Sequence, residues 1–600
     1  MRRAAAPPTF VVLILGLADV VNAADVADLE YKDRLLASLV EKVPSILDTF
    51  DSESGRFGTG IWTCRDQHPM YPLAVAYATP SDGNRYYHDP KLLEVIVKSG
   101  DPLLENMDER GRWVFAKKDG STWGMIWMPW TYSRWIRTFQ LVGDRMAPEL
   151  RKAWTDALVL GYTGISKHCL GHVHNIPAHH AMGLYVAGKT LDRPDWCQQA
   201  AAFLHKVAAA QSEGGYWSEG GGPVVRYNFV YVDALGTYYA ASDDERVLPA
   251  LEKTAAFHGH FTYPGGQNVE TIDQRNPYHG TIAPGNVGFT FTPVGRGYLE
   301  NQWSRLGIDN LDPDLIASLL LYGQQGPVEP TSPDAPASTF VLSEGGTDRA
   351  ATVRHGPWFV CLSAYVTPVS TSRWIQDRQS FLSIYHDRTG LILGGGNTKL
   401  QPAWSNFTVG DPTLLSHTPG DTKPDFLPKG ELYHVPKTAE LHVRPLPGLD
   451  LNYTEETCRI RVEPKDDRRL EIRLETTADS GMPIAAHLTL IPRWDSRGLS
   501  QFSRSENGTV PLAPVLETAG RQTLTLADAP ITLSPQQLGG QLTYAGYRLH
   551  LPPTATLHWP ALPHNPYRKD GRATPSEGRI EIRIPFDRDH REYQVAVEIQ

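Results

Sequence analysis

From about Leu29 to Leu321 the apolar residues recur at helical spacing. Leu35, Leu36, Leu39, Val40 and Val43 mark one stripe, Leu92, Leu93, Val95 and Ile96 a second, and Ala153, Trp154, Ala157, Leu158 and Leu160 a third. Gly- and Pro-rich stretches separate the blocks, such as SEGGGPVV from Ser218 and YPGG from Tyr263. Successive helices of this size usually pair antiparallel. From about Pro336 the pattern changes. RAATVRHGPWFVCLSAYV, FLSIYHDRTGLILGGG, AELHVRPLP, CRIRVEP, RLEIRLETT, AAHLTLIP and RIEIRIPF alternate or run apolar in short stretches bounded by Gly, Pro, Asp and Asn. That is antiparallel strand texture. Residues 322–338, rich in Pro, Gly and Ser, read as a linker. The expectation is a multidomain α and β chain: a helical domain over 24–321, then an antiparallel β-sandwich domain over 339–600.

Composition narrows the function. The 600 residues carry a net charge of −10 and no long Lys/Arg run, which excludes the basic stripe that usually meets nucleic acid. Fifteen Trp and twenty-five Tyr supply flat, partly polar surface that suits sugar rings, though most such aromatics serve as core. Residues 1–23 have a basic start (Arg2, Arg3), an apolar stretch and a small-residue end, so they read as a secretory signal cut after Ala23. The apolar stretch is too short to span a membrane. A secreted or periplasmic location follows. The five cysteines are odd in number and scattered, so no disulfide framework and no zinc ribbon is expected.

Two motifs carry chemistry. The segment HCLGHVHNIPAHHAMGLYVAGKTL holds His168, His172, His174, Asn175, His179 and His180. Ala178–Gly188 reads as a helix with Asn175 at its start, where an N-cap is the plainest role. Asn175 and His179 are four apart and share a face if that turn is helical. A zinc site is the rival for so many His, but no HExxH occurs. The second motif, SEGGYWSEGGGPVVRYNFVYVDALGTYYAA, has a Gly-rich loop with Tyr216, Trp217 and Glu219, then a helix presenting Arg226, Tyr227 and Tyr231. Two Tyr at i, i+4 more often pack than react, but the Gly-rich approach leaves room for a ligand.

NIPAHHAMGLYVAG, from Asn175, resembles the motif of heparinase II/III-type and alginate polysaccharide lyases, in which an Asn opens a helix continuing as small-Leu-x-x-Ala-Gly. Gly183, Leu184, Ala187 and Gly188 fill those places. GGYWSEGGGPVVRYNFVY is similar to the catalytic-tyrosine segment of these lyases. VETIDQRNPYHG, with Arg275, resembles the arginine segment that follows the Tyr, and WIQDRQSFLSIYHDRTGLILGGG resembles the first strands of the heparinase II/III sandwich at Asp377, Ser380 and Phe381. The resemblance implies an (α/α) toroid, an incomplete helical barrel, ahead of the sandwich. Two departures stand out. Ile176 replaces a common His, and Arg373 and Ile375 replace the two His of the sandwich pattern. Neither metal nor cofactor is therefore expected.

The implied reaction is β-elimination on a uronic-acid-containing polysaccharide of the alginate or glucuronan kind. Such an enzyme removes the C5 proton and expels the C4 oxygen, so it must offset charge beside an existing carboxylate with aimed donors. Asn175, His179 and Arg275 are the candidates, with His180 and His174 behind His179. One Tyr phenol can act as base and acid if both atoms lie on one face; phenols titrate near 10, so a cation must stand near Tyr227. Weaker candidates for substrate contact are Arg65, Gln67 and His68 before one helix, Trp123, Trp127, Trp130 and Trp135 on or near another, and Trp217, Glu219, Arg226 and Tyr231. Two other classes stay open: a glycoside hydrolase on an (α/α) barrel using Glu219 and Asp233 as paired acids, or a non-catalytic glycan binder using the Trp platform. The expected partner is an anionic polysaccharide, with no nucleic acid and no membrane span.

Overall fold

The computed structural model describes residues 28–600 apart from 118–119, 276–281, 332–336, 412, 414–425, 427–429, 494–514, 520–522, 527–528, 567 and 569. The expected leader and part of the expected linker lie outside the described residues. No described helix is long and apolar enough to cross a membrane.

Among the described residues twelve helices come first: α1 Lys32–Leu47, α2 Met70–Ala78, α3 Pro90–Lys98, α4 Asp101–Glu105, α5 Pro129–Val142, α6 Pro148–His168, α7 Asn175–Thr190, α8 Pro194–Ala209, α9 Val225–Ser242, α10 Leu248–His260, α11 Pro293–Leu306 and α12 Pro313–Tyr322. They form an (α/α) toroid. Helices α2, α5, α7 and α9 pack in that order as an inner row, and α12 packs between α9 and α2 to bring the ring round. Helices α3, α6, α8 and α10 lie outside them. The sequence explains the two layers. Helix α2 (MYPLAVAYA) is apolar nearly all round and buries every residue from Met70 to Tyr77, as an inner helix must. Helix α3 buries only Leu92 and Ile96. At Gly188 a Cβ would stand 2.6 Å from the Cys197 sulfur and 2.9 Å from a backbone oxygen of Arg193, so this glycine lets α7 and α8 close together.

After α12 the chain runs back over the toroid, where Gly326–Pro327 pairs with Asp28–Leu29. Among the described residues the β half then builds an eleven-stranded and a nine-stranded antiparallel sheet. The first large-sheet strand, Ala337–Glu344, begins inside the stretch expected as linker. The two sheets differ in how their faces are used. In the second sheet Arg469–Thr476 alternates buried Leu470, Ile472 and Leu474 with outward Glu471, Arg473 and Glu475, so one face meets water. In the first sheet Trp358–Ser363 is buried at every residue. Trp358, Val360 and Leu362 join the core between the sheets, while Phe359 and Cys361 turn the other way, into a cluster with Tyr216, Phe257, Phe261 and Tyr263 of the helical half. One sheet is thus shared by two cores. All five cysteines are unpaired thiols.

Candidate active site

Helix α7 starts at Asn175, three residues earlier than its apolar pattern suggests, and runs two residues past Gly188 to Thr190. Pro177 is tolerated because N–H groups of the first turn have no helical acceptor anyway. Asn175 does not cap the helix. Its amide is 2% exposed and its Nδ2 donates to both carboxylate oxygens of Glu219, each at 2.9 Å. The Gly-rich loop before α9 carries that carboxylate into the helical interior. Glu219 also takes the Tyr231 hydroxyl at 2.7 Å and His174 Nε2 at 2.9 Å. Burial pushes the Glu219 carboxyl up, but the bonds from His174, Asn175 and Tyr231 outweigh it and hold the group below its ordinary value. His174 is the outward member of this cluster, its side chain 43% exposed against none for Glu219.

One turn along α7, His179 sits 2% exposed, with Nε2 at 2.9 Å from Ser133 Oγ and Nδ1 at 3.6 Å from Asp233 of α9. Burial, then the charges of Arg134 and Arg137, push its pKa well down, so it stands as a neutral ring. Burial pushes the Asp233 carboxyl up, against Arg137 and Arg134. His180 is a core residue: burial takes it down to about 3 and its Nδ1 has no partner. The His-rich segment does not gather a metal cluster; among the described residues no three His, Cys, Asp or Glu side chains come together in that way.

Tyr227 is in the first turn of α9, one turn before Tyr231, and half-buried. Arg275 meets it from a loop 48 residues away: Nη2 donates to the Tyr227 hydroxyl at 3.1 Å and the guanidinium lies 4.8 Å from the ring centre. Asp273 ties the two together. Its Oδ2 accepts the Val225 N–H at the first residue of α9 at 3.0 Å, and its Oδ1 accepts the Arg275 N–H at 2.7 Å. A carboxylate there also complements the helix dipole. Sequence reading missed Asp273. The local half of its role, an Asp bonding the N–H two residues on, was readable as an Asx-turn; the cap on a helix 48 residues back was not.

The β half supplies a wall. Gln376 N–H donates to the Gln274 carbonyl at 2.8 Å, and the Gln274 side chain bridges Gly221 N–H at 3.0 Å and Thr367 Oγ1 at 2.7 Å. At Gly221 a Cβ would stand 2.0 Å from the Thr367 methyl, so glycine is required for the loop to pass beneath this wall.

The remaining candidates scatter. Gln67 is 1% exposed and donates to the Gly55 and Ser99 carbonyls, a structural role that removes it from any substrate. Trp217 is likewise interior, stacked on Tyr231 at 4.9 Å with its indole N–H on the Val207 carbonyl. Trp135 is fully buried against Trp113 and Trp154. The four Trp do not share a helix. Trp123 lies on the hairpin strand Thr122–Ile126, Trp127 in the connection after it, and only Trp130 and Trp135 are on α5. Trp123 is 57% exposed, Trp127 stacks on His168, and Trp130 lies 5.8 Å from His179. His68 bonds Thr131 at 3.1 Å; Arg65 and Arg226 are exposed.

No family model matches the sequence, and no curated protein matches it either. Solved structures that resemble the chain include a heparinase III, aligned over 96% of this chain and 84% of its own at 12% identity with a TM-score of 0.47. A chondroitin AC lyase variant of Streptomyces coelicolor aligns over 96% and 80% at 12% identity and 0.47. A heparan sulfate lyase variant from Pedobacter heparinus aligns over 95% and 88% at 11% identity and 0.42.

Proposed function

We propose that the protein is a secreted or periplasmic polysaccharide lyase that cleaves an unsulfated uronic-acid polymer, of the alginate or glucuronan kind, by β-elimination. The observation that carries this reading is Arg275 Nη2, 3.1 Å from the Tyr227 hydroxyl, one helical turn before Tyr231, which bonds Glu219 of the Asn175–Glu219–His174 cluster. A positive charge so placed stabilises the negative charge that Tyr227 bears before it takes the proton from C5. The electron pair of that C–H bond forms the C4–C5 double bond as the C4–O bond breaks, and the Tyr227 hydroxyl returns the proton to the leaving oxygen. The substrate carboxylate must be neutralised meanwhile. Glu219 holds the His174 ring by Nε2, which leaves Nδ1 as the ring atom for the substrate carboxylate. Asn175 and Glu219 aim that ring. His179, a neutral ring, is held between Ser133 and Asp233.

The hydrolase reading fares worse on the same geometry. Its acid would have to be protonated, whereas three donors hold Glu219 ionised, and Asp233 faces His179. The deciding experiment follows ultraviolet absorbance, which reports the new double bond, against a panel of uronate polymers with and without chelator. Absorbance growth on an unsulfated polyuronate that survives chelator is expected. Reducing ends without absorbance would make it a hydrolase, depletion without turnover a binder, and preferred turnover of heparin or heparan sulfate would overturn the unsulfated substrate.

A further inference from the structure

The loop that ends at Arg275 belongs to the helical half by sequence and to the β half by its bonds. Five residues in a row are taken up. Glu270 Oε1 accepts the Gly395 N–H at 2.9 Å. Asn397 Nδ2 donates to the Thr271 carbonyl at 3.4 Å and to the Asp273 carbonyl at 3.1 Å. Arg378 Nη1 donates to the Ile272 carbonyl at 2.9 Å. The Gln274 carbonyl takes the Gln376 N–H, and the Gln274 side chain reaches Thr367. The clamping groups are themselves fixed. Asn397 Oδ1 accepts the N–H groups of Gln379 and Ser380 at 3.0 and 2.9 Å, and the Asp377 N–H meets the Thr398 carbonyl at 3.1 Å. Packing of the two halves does not by itself call for an arginine here. Arg378 is 1% exposed, and its Nε and Nη2 have no hydrogen-bond partner among the described residues. Leaving donors of a buried cation unbonded is costly. Burial pushes the guanidinium down from its ordinary pKa, against the pull of the Asp273 charge. What Arg378 holds is the loop: one bond to Ile272, and an attraction to Asp273, whose carboxylate takes the Val225 N–H of α9 and the Arg275 N–H.

We propose that Arg378 and Asn397 are positioning residues for the reaction: from the β half they fix residues 270–274 so that Arg275 meets the Tyr227 hydroxyl. The inference rests on the lyase reading and makes the β half a working part of it. Neither side chain touches the sugar. Both act through Arg275, whose 3.1 Å bond to Tyr227 depends on where the clamped loop delivers it. Misplacing such a group by 1 Å can cost about 10²-fold in rate.

The test is a double-mutant cycle in the ultraviolet assay, on polymannuronate and on glucuronan, well below the melting temperature of each variant. Arg378→Met should lower kcat by up to about 10²-fold with KM little changed, because Arg275 is aimed at Tyr227 and not at the bound sugar. Arg378→Lys should recover most of that loss, since one guanidinium nitrogen alone bonds the loop. In an Arg275→Gln background Arg378→Met should cost nothing more, because the group it aims is gone. Thr367→Val is the milder handle if Arg378→Met does not fold. It removes only the oxygen that takes the Gln274 side chain, on a half-buried residue, and should give a smaller fall in kcat that likewise vanishes beside Arg275→Gln. Equal factors in both backgrounds overturn the positioning role and leave the lyase reading standing. So does wild-type kcat in Arg378→Met and Thr367→Val, or in Arg275→Gln itself for the part played through that residue. No ultraviolet product from the unaltered enzyme on either polymer overturns the lyase reading and the inference with it.

Discussion

Two buried carboxylates, one in each half of the chain, are neutralised in opposite ways. Asp377 of the β half is sealed: Lys399 Nζ is 2.9 Å from Oδ1, His434 Nε2 is 3.0 Å from Oδ2, and the three side chains are 0–1% exposed. Burial pushes its carboxyl up, and His434 and Lys399 more than reverse that. Lys399 also donates to the Ser370 carbonyl, which ties down the wall that bears Arg373 and Trp374. Glu219 has no lysine. Its donors are an amide, a phenol and one half-exposed imidazole. A full cation locked on a carboxylate builds architecture and offers nothing outward. A carboxylate held by weaker donors, one of which reaches solvent, fixes direction and keeps its influence at the surface.

Tyr227→Phe should have the largest effect and sharpen the contrast at once. General acid–base contributions run to about 10⁴-fold, and a dual role belongs at that end; kcat should fall by that order while the melting temperature stays put. A variant retaining more than about a tenth of wild-type kcat would leave Tyr227 without its role. Lys399→Met should do the reverse. Breaking a buried pair costs about 3–5 kcal/mol, read as a lower urea midpoint. A loss under about 1 kcal/mol, against that range, would mean that the Asp377 cluster is not sealed.

Glu270 tests a third case, a buried carboxylate with Oε2 unpartnered and Oε1 accepting the Gly395 N–H at 2.9 Å. Burial raises it to about 7 from an ordinary 4.5. Between those values the folded chain keeps a proton that the unfolded chain has released. Stability therefore falls as pH rises from about 4.5 to 7, by about 3 kcal/mol at most, and levels off above. Glu270→Gln should remove that part of the slope in unfolding measured across the window; an unchanged slope would place the proton elsewhere. Smallest is Tyr231→Phe, which removes one donor from Glu219: about 1.5–3 kcal/mol of stability, with kcat changed far less than by Tyr227→Phe. Equal kcat losses would erase the distinction between reacting and holding groups.

The switch from helical to alternating periodicity was legible because each half buries one face per element, and α1, α3, α6 and the strands Glu456–Pro464 and Arg469–Thr476 follow it closely. Trp123, Trp127, Trp130 and Trp135 are spaced nearly as a helix would space them, but Gly120 and Gly124, at φ +79° and +86°, turn the first part into a hairpin. Gln67 and Trp217 look like sugar contacts by type; only the tertiary fold shows that backbone carbonyls claim both. In the candidate site, Asn175, His174 and Tyr227 were readable as local motifs. Their wiring was not, because Glu219 reaches Asn175 and His174, and Arg275 reaches Tyr227, from 44 or more residues away.

The strand Trp358–Ser363, packed on both faces, has a consequence for handling the chain. Its sheet belongs to the sandwich by backbone pairing and to the toroid by side chains such as Phe359 and Tyr385. Neither half comes away clean. A β half expressed by itself would present a greasy flank to solvent and should precipitate or cling to itself, so swapping modules between such chains calls for a graft that carries the whole shared sheet together with residues 257–272.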